Sequence, residues 1–217
     1  MIHLDARTRI IATALAALAG YVDAMGFLGS GGFFVSFMSG NSTRLAVGLV
    51  ERWSFALTAA QLVGAFIMGV VTAALIAGRR PRNQQRTTMQ LVSIALALAA
   101  ATAEVGPPLA ALALVAFAMG AENIVFERDG DVRIGLTYMT GTLVKTGQRL
   151  AVALNGGERW GWLPFLRLWL GLIFGAVAGA MSFGAFGMRG LWVAAAVSAV
   201  LSLITGQTTQ GGEPQRK

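Results

Sequence analysis

The sequence predicts an all-α polytopic membrane protein, with six transmembrane helices plus two broken strand-then-helix segments, arranged as two inverted repeats. Three observations predict it. The 217-residue chain is 55% hydrophobic and only 12% charged, with mean hydropathy +0.65, whereas a soluble domain carries about 25% charged residues. Six separate stretches are apolar enough to span a bilayer. An unusual apolar segment that ends in a polar cluster and a cation occurs once in each half.

The first span is predicted over Arg9–Leu28. Its start, with Arg7 and Arg9 before the run Ile10 to Gly20, has the pattern of a secretory leader. Cleavage there would delete a segment that has a counterpart in the second half, so it reads as a span. The glycine-rich link Gly29-Ser30-Gly31-Gly32 leads into the first unusual segment, Phe33-Phe34-Val35-Ser36-Phe37-Met38-Ser39-Gly40-Asn41-Ser42-Thr43-Arg44. Phe33 to Met38 is aromatic and β-branched, which predicts a short extended stretch. Ser39, Asn41 or Ser42 is then expected to cap a helix running through Leu45, Val47 and Leu49. Spans over Phe55–Ala77 and Thr88–Ala103 complete the half, separated by a loop that holds Arg79, Arg80, Arg82 and Arg86.

After Gly106-Pro107-Pro108 the pattern repeats: a span over Leu109–Phe126, then Ile134-Gly135-Leu136-Thr137-Tyr138-Met139-Thr140-Gly141-Thr142-Leu143-Val144-Lys145. Thr140 or Thr142 is expected to cap a helix through Leu150 and Val152. Spans over Leu163–Phe183 and Leu191–Thr205 follow, and the polar tail 206–217 is expected to be disordered. Other matches extend the duplication. Asp23 in Gly20-Tyr21-Val22-Asp23 stands opposite Asn123 in Gly120-Ala121-Glu122-Asn123, Glu51-Arg52-Trp53 recurs as Glu158-Arg159-Trp160, and Gly64 falls opposite Gly171. The repeats are therefore 1–105 and 106–205 within one membrane domain. If neither unusual segment crosses, cytoplasmic termini place nearly all loop cations on the inner side, as the positive-inside rule requires. Three crossings per half is odd, which inverts the second repeat, an arrangement common in secondary transporters. Non-helical backbone at membrane depth is tolerated where protein or a water-filled cavity satisfies it, so both segments point to a buried site, with their extended parts able to pair near the midplane.

Asp23, with a long apolar run before it, is a candidate proton or cation site or a counter-ion for Arg44. Arg44 and Lys145, each one turn into its helix, are candidates for an anion-binding patch beside helix-start amides. Ser39, Asn41, Ser42, Thr140 and Thr142 are expected to line a polar site, and Asn123 to join it as the partner of Asp23; Glu122 reads as facing the interface. Gly171, Gly175 and Gly179 form a ridge for close helix packing, within the chain or in a homodimer. Trp53, Trp160 and Trp162 are expected interface anchors. Other classes are excluded on residue grounds. The chain has no cysteine and one histidine, His3, which rules out thiolate chemistry and disfavours a histidine metal cluster or a serine triad. No P-loop, Rossmann, HExxH or GxSxG motif occurs, so neither a cofactor nor a nucleic-acid partner is expected.

Gly20-Tyr21-Val22-Asp23-Ala24, Phe37-Met38-Ser39-Gly40-Asn41 and Tyr138-Met139-Thr140-Gly141-Thr142 resemble the YoaK-like bacterial inner-membrane proteins, a family defined as a domain of unknown function. The resemblance covers nearly the whole chain, and its most specific part is the paired M-[ST]-G-[NT] motif. It implies a multi-pass protein of the bacterial inner membrane and supplies no substrate. Glu122 departs from the Gly-x-Gln-Asn expected at that place.

These features together point to a small secondary transporter or facilitator that is not an enzyme. Its substrate, an anionic or polar small molecule, is expected to bind near the midplane between the two segments, with Asp23 coupling protons. A membrane-embedded enzyme on lipid-like substrates is the weaker alternative, for want of a nucleophile–base set. A structural or partner-binding subunit is the other, resting on the glycine ridge.

Overall fold

The computed structural model describes residues 6–79, 83–128, 131–132 and 139–206. They form eight α-helices: α1 (Ala6–Gly29), α2 (Met38–Glu51), α3 (Trp53–Arg79), α4 (Gln84–Val105), α5 (Pro108–Glu122), α6 (Met139–Leu154), α7 (Leu163–Phe186) and α8 (Leu191–Gly206). A two-residue antiparallel hairpin, Glu127–Arg128 with Asp131–Val132, follows α5. Four stretches are long and apolar enough to cross a membrane by length and composition: Ala6–Gly29, Trp53–Arg79, Gln84–Val105 and Leu163–Thr205; α5 is a shorter apolar helix. The chain is thus a helical membrane protein. The second extended stretch, with Tyr138, and the tail from 207 onward lie outside the described residues, as does any pairing of the two extended stretches.

Helix boundaries follow local chemistry. Gly106, in extended conformation, ends α4, and Pro108 opens α5, where a missing N–H leaves nothing unsatisfied. Gly187, at φ +59°, ends α7. The 3-10 turn Gly187–Gly190 that follows folds the long apolar run Leu163–Thr205 back on itself. Residues 123–126, expected as the end of a span, instead form turns after Glu122, with Ile124 and Val125 amides bonded to Ala121 and Glu122 carbonyls.

Two close crossings hold the bundle. Along α7, a Cβ at Gly171, Gly175 or Gly179 would run into Thr13, Ala17 or Tyr21 of α1 respectively. Both series advance by four residues in the same direction, so α1 and α7 run parallel with backbone against backbone. From the other side, Gly20 abuts the Leu172 carbonyl. The second crossing joins α3 to α5, where Gly69 meets Phe117 and Gly120 meets Phe66. The glycine ridge is therefore filled by α1 of the same chain and is not available for a homodimer. Gly64 has open space around it while Gly171 abuts Thr13, so those two are not equivalent positions.

Side-chain bonds orient the remaining helices. Arg7 Nη2 donates to the Ile204 carbonyl at 3.0 Å, and the Tyr21 hydroxyl donates to the Gly190 carbonyl at 2.9 Å while accepting from Ser182 at 2.6 Å. The start of α8 thus lies near residue 21 and its end near residue 7, antiparallel to α1. Trp192 Nε1 donates to Glu104 at 2.9 Å, joining the start of α8 to the end of α4. It follows that α1, α4 and α7 run one way, and α5 and α8 the other. The short turn between α3 and α4 reverses α3 as well. Leu15, Val22 and Met25 of α1, Leu62 of α3, Leu96 of α4 and Met119 of α5 are fully buried in the shared core.

Candidate functional site

The chain leaves α1 through Gly31 (φ +70°) and Gly32 (φ +120°), conformations that favour glycine, and turns back toward the core. Ser30 Oγ accepts the Phe33 amide at 2.8 Å and donates to the Phe33 carbonyl at 3.1 Å. Val35, fully buried, packs on Gly26, where a Cβ would come within 2.7 Å of its Cγ1. Val35 and Ser36 amides donate to Asp23 Oδ1 at 2.8 and 2.9 Å. The segment therefore descends beside α1 from Ser30 to Asp23, about 10 Å at 1.5 Å per residue. Asn41, fully buried, clamps Phe34: its Oδ1 accepts the Phe34 amide at 3.0 Å and its Nδ2 donates to the Phe34 carbonyl at 2.6 Å. Two polar side chains thus satisfy a non-helical backbone inside the bundle, which apolar surroundings demand.

This arrangement corrects the expected caps. Helix α2 begins at Met38 and has no side-chain cap from its own residues. Ser42 and Thr43 turn their hydroxyls back to the Met38 and Ser39 carbonyls at 2.9 and 3.2 Å, and Ser39 is exposed. The Asp23 side chain of α1 instead holds the Val35 and Ser36 amides on the approach to α2. Helix α6 already includes Met139, so Thr140 and Thr142 lie within it rather than capping it. Thr140 is exposed, Thr142 is buried, and the Thr142 carbonyl accepts from Thr146 at 2.9 Å.

Arg44 is not paired with Asp23. Its guanidinium lies over three phenylalanine rings, with Cζ 5.9 Å from the Phe27 centroid, 5.4 Å from Phe33 and 5.7 Å from Phe34. Phe34 also stacks on Phe27 and Phe37, at 5.1 and 5.3 Å, so the cage is itself packed. Gly32 closes one side, where a Cβ would come within 3.3 Å of both terminal nitrogens. Contacts of this kind are worth about 0.5–2 kcal/mol each and leave the N–H fork unspent. Among the described residues no carboxylate or carbonyl takes it up.

The second group is elsewhere. Lys145 is exposed, with Nζ 5.9 Å from the ring of Phe165 in the first turn of α7. Asn123 Nδ2 donates to the Met119 carbonyl of its own helix at 2.8 Å. Because α1 and α7 are parallel, Asp23 sits near the far end of α7, about 24 Å along the axis from Phe165 by helical rise. Helix α2 packs on α3, α6 packs on α7, and they do not pack on each other. The expectation of one midplane site between facing segments is thus corrected: Asp23, Asn41 and Arg44 gather at one end of the bundle, and Lys145 lies at the other.

Sequence reasoning missed the phenylalanine cage, although three aromatic residues on the approach to Arg44 were the available signal. It also misplaced Glu122, which is fully buried rather than facing the interface.

Residues 11–204 match the profile of a family described as "Protein of unknown function (DUF1275)". The chain is also similar to the UPF0700 transmembrane protein RA0705 of Rhizobium meliloti (strain 1021), with 34% identity over 192 residues, 88% of this chain and 83% of that protein. No solved structure matches it significantly.

Proposed function

Since this chain belongs to the DUF1275 family and is a helical membrane protein, we propose that it is a small secondary transporter of the inner membrane, built from inverted repeats 1–105 and 106–205. Helices α1, α3, α4, α5, α7 and α8 cross in alternating directions, and α2 and α6 form two non-crossing half-sites at opposite faces. The termini are cytoplasmic. The substrate is an anionic or polar small molecule. It meets Arg44 at the outer half-site, with Ser39, Asn41 and Ser42 nearby, and Lys145, Thr140, Thr142 and Asn123 at the inner one. Asp23 acts as a positioning residue that holds the re-entrant backbone.

Repeat symmetry supports the architecture. Gly69 over Phe117 is matched by Gly175 over Ala17, and Gly120 over Phe66 by Gly20 over Leu172. One constant shift carries 17 and 20 to 117 and 120, and another carries 66 and 69 to 172 and 175, so the two crossings are the same object used twice. Neither crossing lies within one repeat. A two-fold axis in the membrane plane relates such halves in known transporters, with sites where helices are interrupted.

The observation that carries the function is the Arg44 cage. A guanidinium is fixed by three aromatic faces beside interrupted backbone, and its donors are left for an anion. Arginine suits planar, two-point recognition of carboxylate or phosphate. The test has two stages. A thermal-shift screen of small carboxylates and phosphates on the purified protein finds a ligand whose stabilisation is lost in Arg44→Gln. Counterflow of that labelled ligand in proteoliposomes is then expected to fail in both Arg44→Ala and Lys145→Ala. Transport unchanged in both variants would refute the site.

A further inference from the structure

Glu122, the last residue of α5, is 0% exposed, and neither of its carboxylate oxygens has a hydrogen-bond partner. Among the described residues the only other orphaned buried side-chain atom is Thr88 Oγ1, on α4. The two share a level in the bundle. Gln84 Nε2 donates to the Ile124 carbonyl at 3.1 Å, which sets the start of α4 beside the end of α5. In that antiparallel hairpin, one turn further along α4 brings Thr88 level with the last turn of α5.

Buried polar atoms are nearly always bonded, and each exception asks for a cause. Packing supplies none here. In the repeat register the counterpart of Glu122 is Val22, also 0% exposed, so hydrocarbon fills the same place in the other half. Among the described residues no cation bonds to Glu122, so a negative charge there is expensive in such surroundings. The charged groups on the helices packed against α5 are Arg7, Arg9 and Asp23 of α1, Arg79 of α3, and Arg86 and Glu104 of α4. None of them bonds to Glu122. A metal cation is a poor fit, because one carboxylate and one hydroxyl offer three oxygens where hard cations take about six. Ionisable residues in such positions mark proton and ion routes.

We infer that Glu122 is an intramembrane proton-binding site, with the unpartnered Thr88 hydroxyl at the same level of the bundle. The proton sits on a carboxyl oxygen of Glu122. The inference deepens the transport reading by naming the coupling ion, and it rests on that reading only for its use in the cell. Asp23, whose Oδ1 is already engaged by two amides, is left with a structural duty.

The test needs no substrate, so its failure is separate from failure of the transport reading. Infrared difference spectra of the full-length protein in lipid, wild type minus Glu122→Gln, are expected to show the C=O stretch of a protonated carboxyl at neutral pH, shifted in D2O. Dicyclohexylcarbodiimide, an apolar reagent that adds to protonated carboxyls, is expected to modify Glu122 rather than the exposed Glu51, Glu104 and Glu158. Melting of Glu122→Gln near the wild-type temperature would establish that the variant folds, and should it not fold, the wild-type deuterium shift and the labelled peptide decide alone. Absence of the protonated band from the wild type overturns the proposal, and so does protection of Glu122 from the carbodiimide by sodium at fixed pH, which would assign the site to a metal cation.

Discussion

Gly175→Ala perturbs the closest approach in the molecule. A Cβ there would lie 2.6 Å from the Ala17 carbonyl carbon and 2.7 Å from its Cα, where carbon atoms prefer about 3.5–4.0 Å. The obstacle is backbone on both sides, so no side chain can swing away, and α7 must retreat from α1 by about 1 Å. A retreat of that size forfeits a quarter to a half of each dispersion contact along the crossing, which includes those of Thr13, Ala17, Gly20 and Tyr21. Overpacking of this kind costs up to about 3 kcal/mol, offset by about 1 kcal/mol from the better helix propensity of alanine. A net loss of about 2 kcal/mol lowers the melting temperature by about 4–8 °C for a chain of this size. Gly64→Ala is the control, since nothing lies within 4 Å of its Cβ; propensity alone should raise the melting temperature by about 2–4 °C. Tryptophan fluorescence during heating in detergent measures both. Gly175→Ala melting at or above wild type would refute the backbone-to-backbone crossing.

Asn41→Ala strands the Phe34 amide and carbonyl together, and at about 1–3 kcal/mol for an orphaned buried group it should destabilise by about 2–4 kcal/mol in the same melts; a loss of under about 0.5 kcal/mol, the scale of a neutral surface change, would mean that the clamp is not formed. Because the chain contains no cysteine, the pair Thr13→Cys and Gly171→Cys can be read without background. A Cβ at Gly171 would sit 2.8 Å from Thr13 Cγ2, the place of the new sulfur, close enough to bridge. Oxidation should give a disulfide within one chain at monomer mobility on a non-reducing gel, whereas a dimer band would return the glycine ridge to an intermolecular role.

Apolar runs made the long helices legible, and the ends of α4, α5 and α7 were marked by Gly106, Pro108 and Gly187. The non-helical stretch was legible too, because Phe33 to Phe37 is a poor helix start between glycines. What stayed hidden was direction around each helix. α5 is apolar on every side, so nothing in its pattern says whether position 122 faces lipid or core; the buried Val22 in the matching position was the one clue. Caps were misread because Ser42 and Thr43 turn back to carbonyls of their own helix, while the approach to α2 is held by Asp23 from an earlier one. Distance between the motifs was also invisible. Two similar segments suggest facing partners, and only the parallel course of α1 and α7 puts Arg44 and Lys145 at opposite ends.

The pairing of α1 with α7 has a bearing on how the protein is made. Helix α1 is the most enclosed of the four long apolar stretches, and the glycines that receive it are on α7, which is translated long after it. Until α7 emerges, α1 must wait in lipid or against the insertion machinery with its docking face bare. A ribosome stalled before residue 163 would leave a product that is inserted but unassembled, open to membrane proteases, and the second half synthesised in trans is the natural reagent to rescue it.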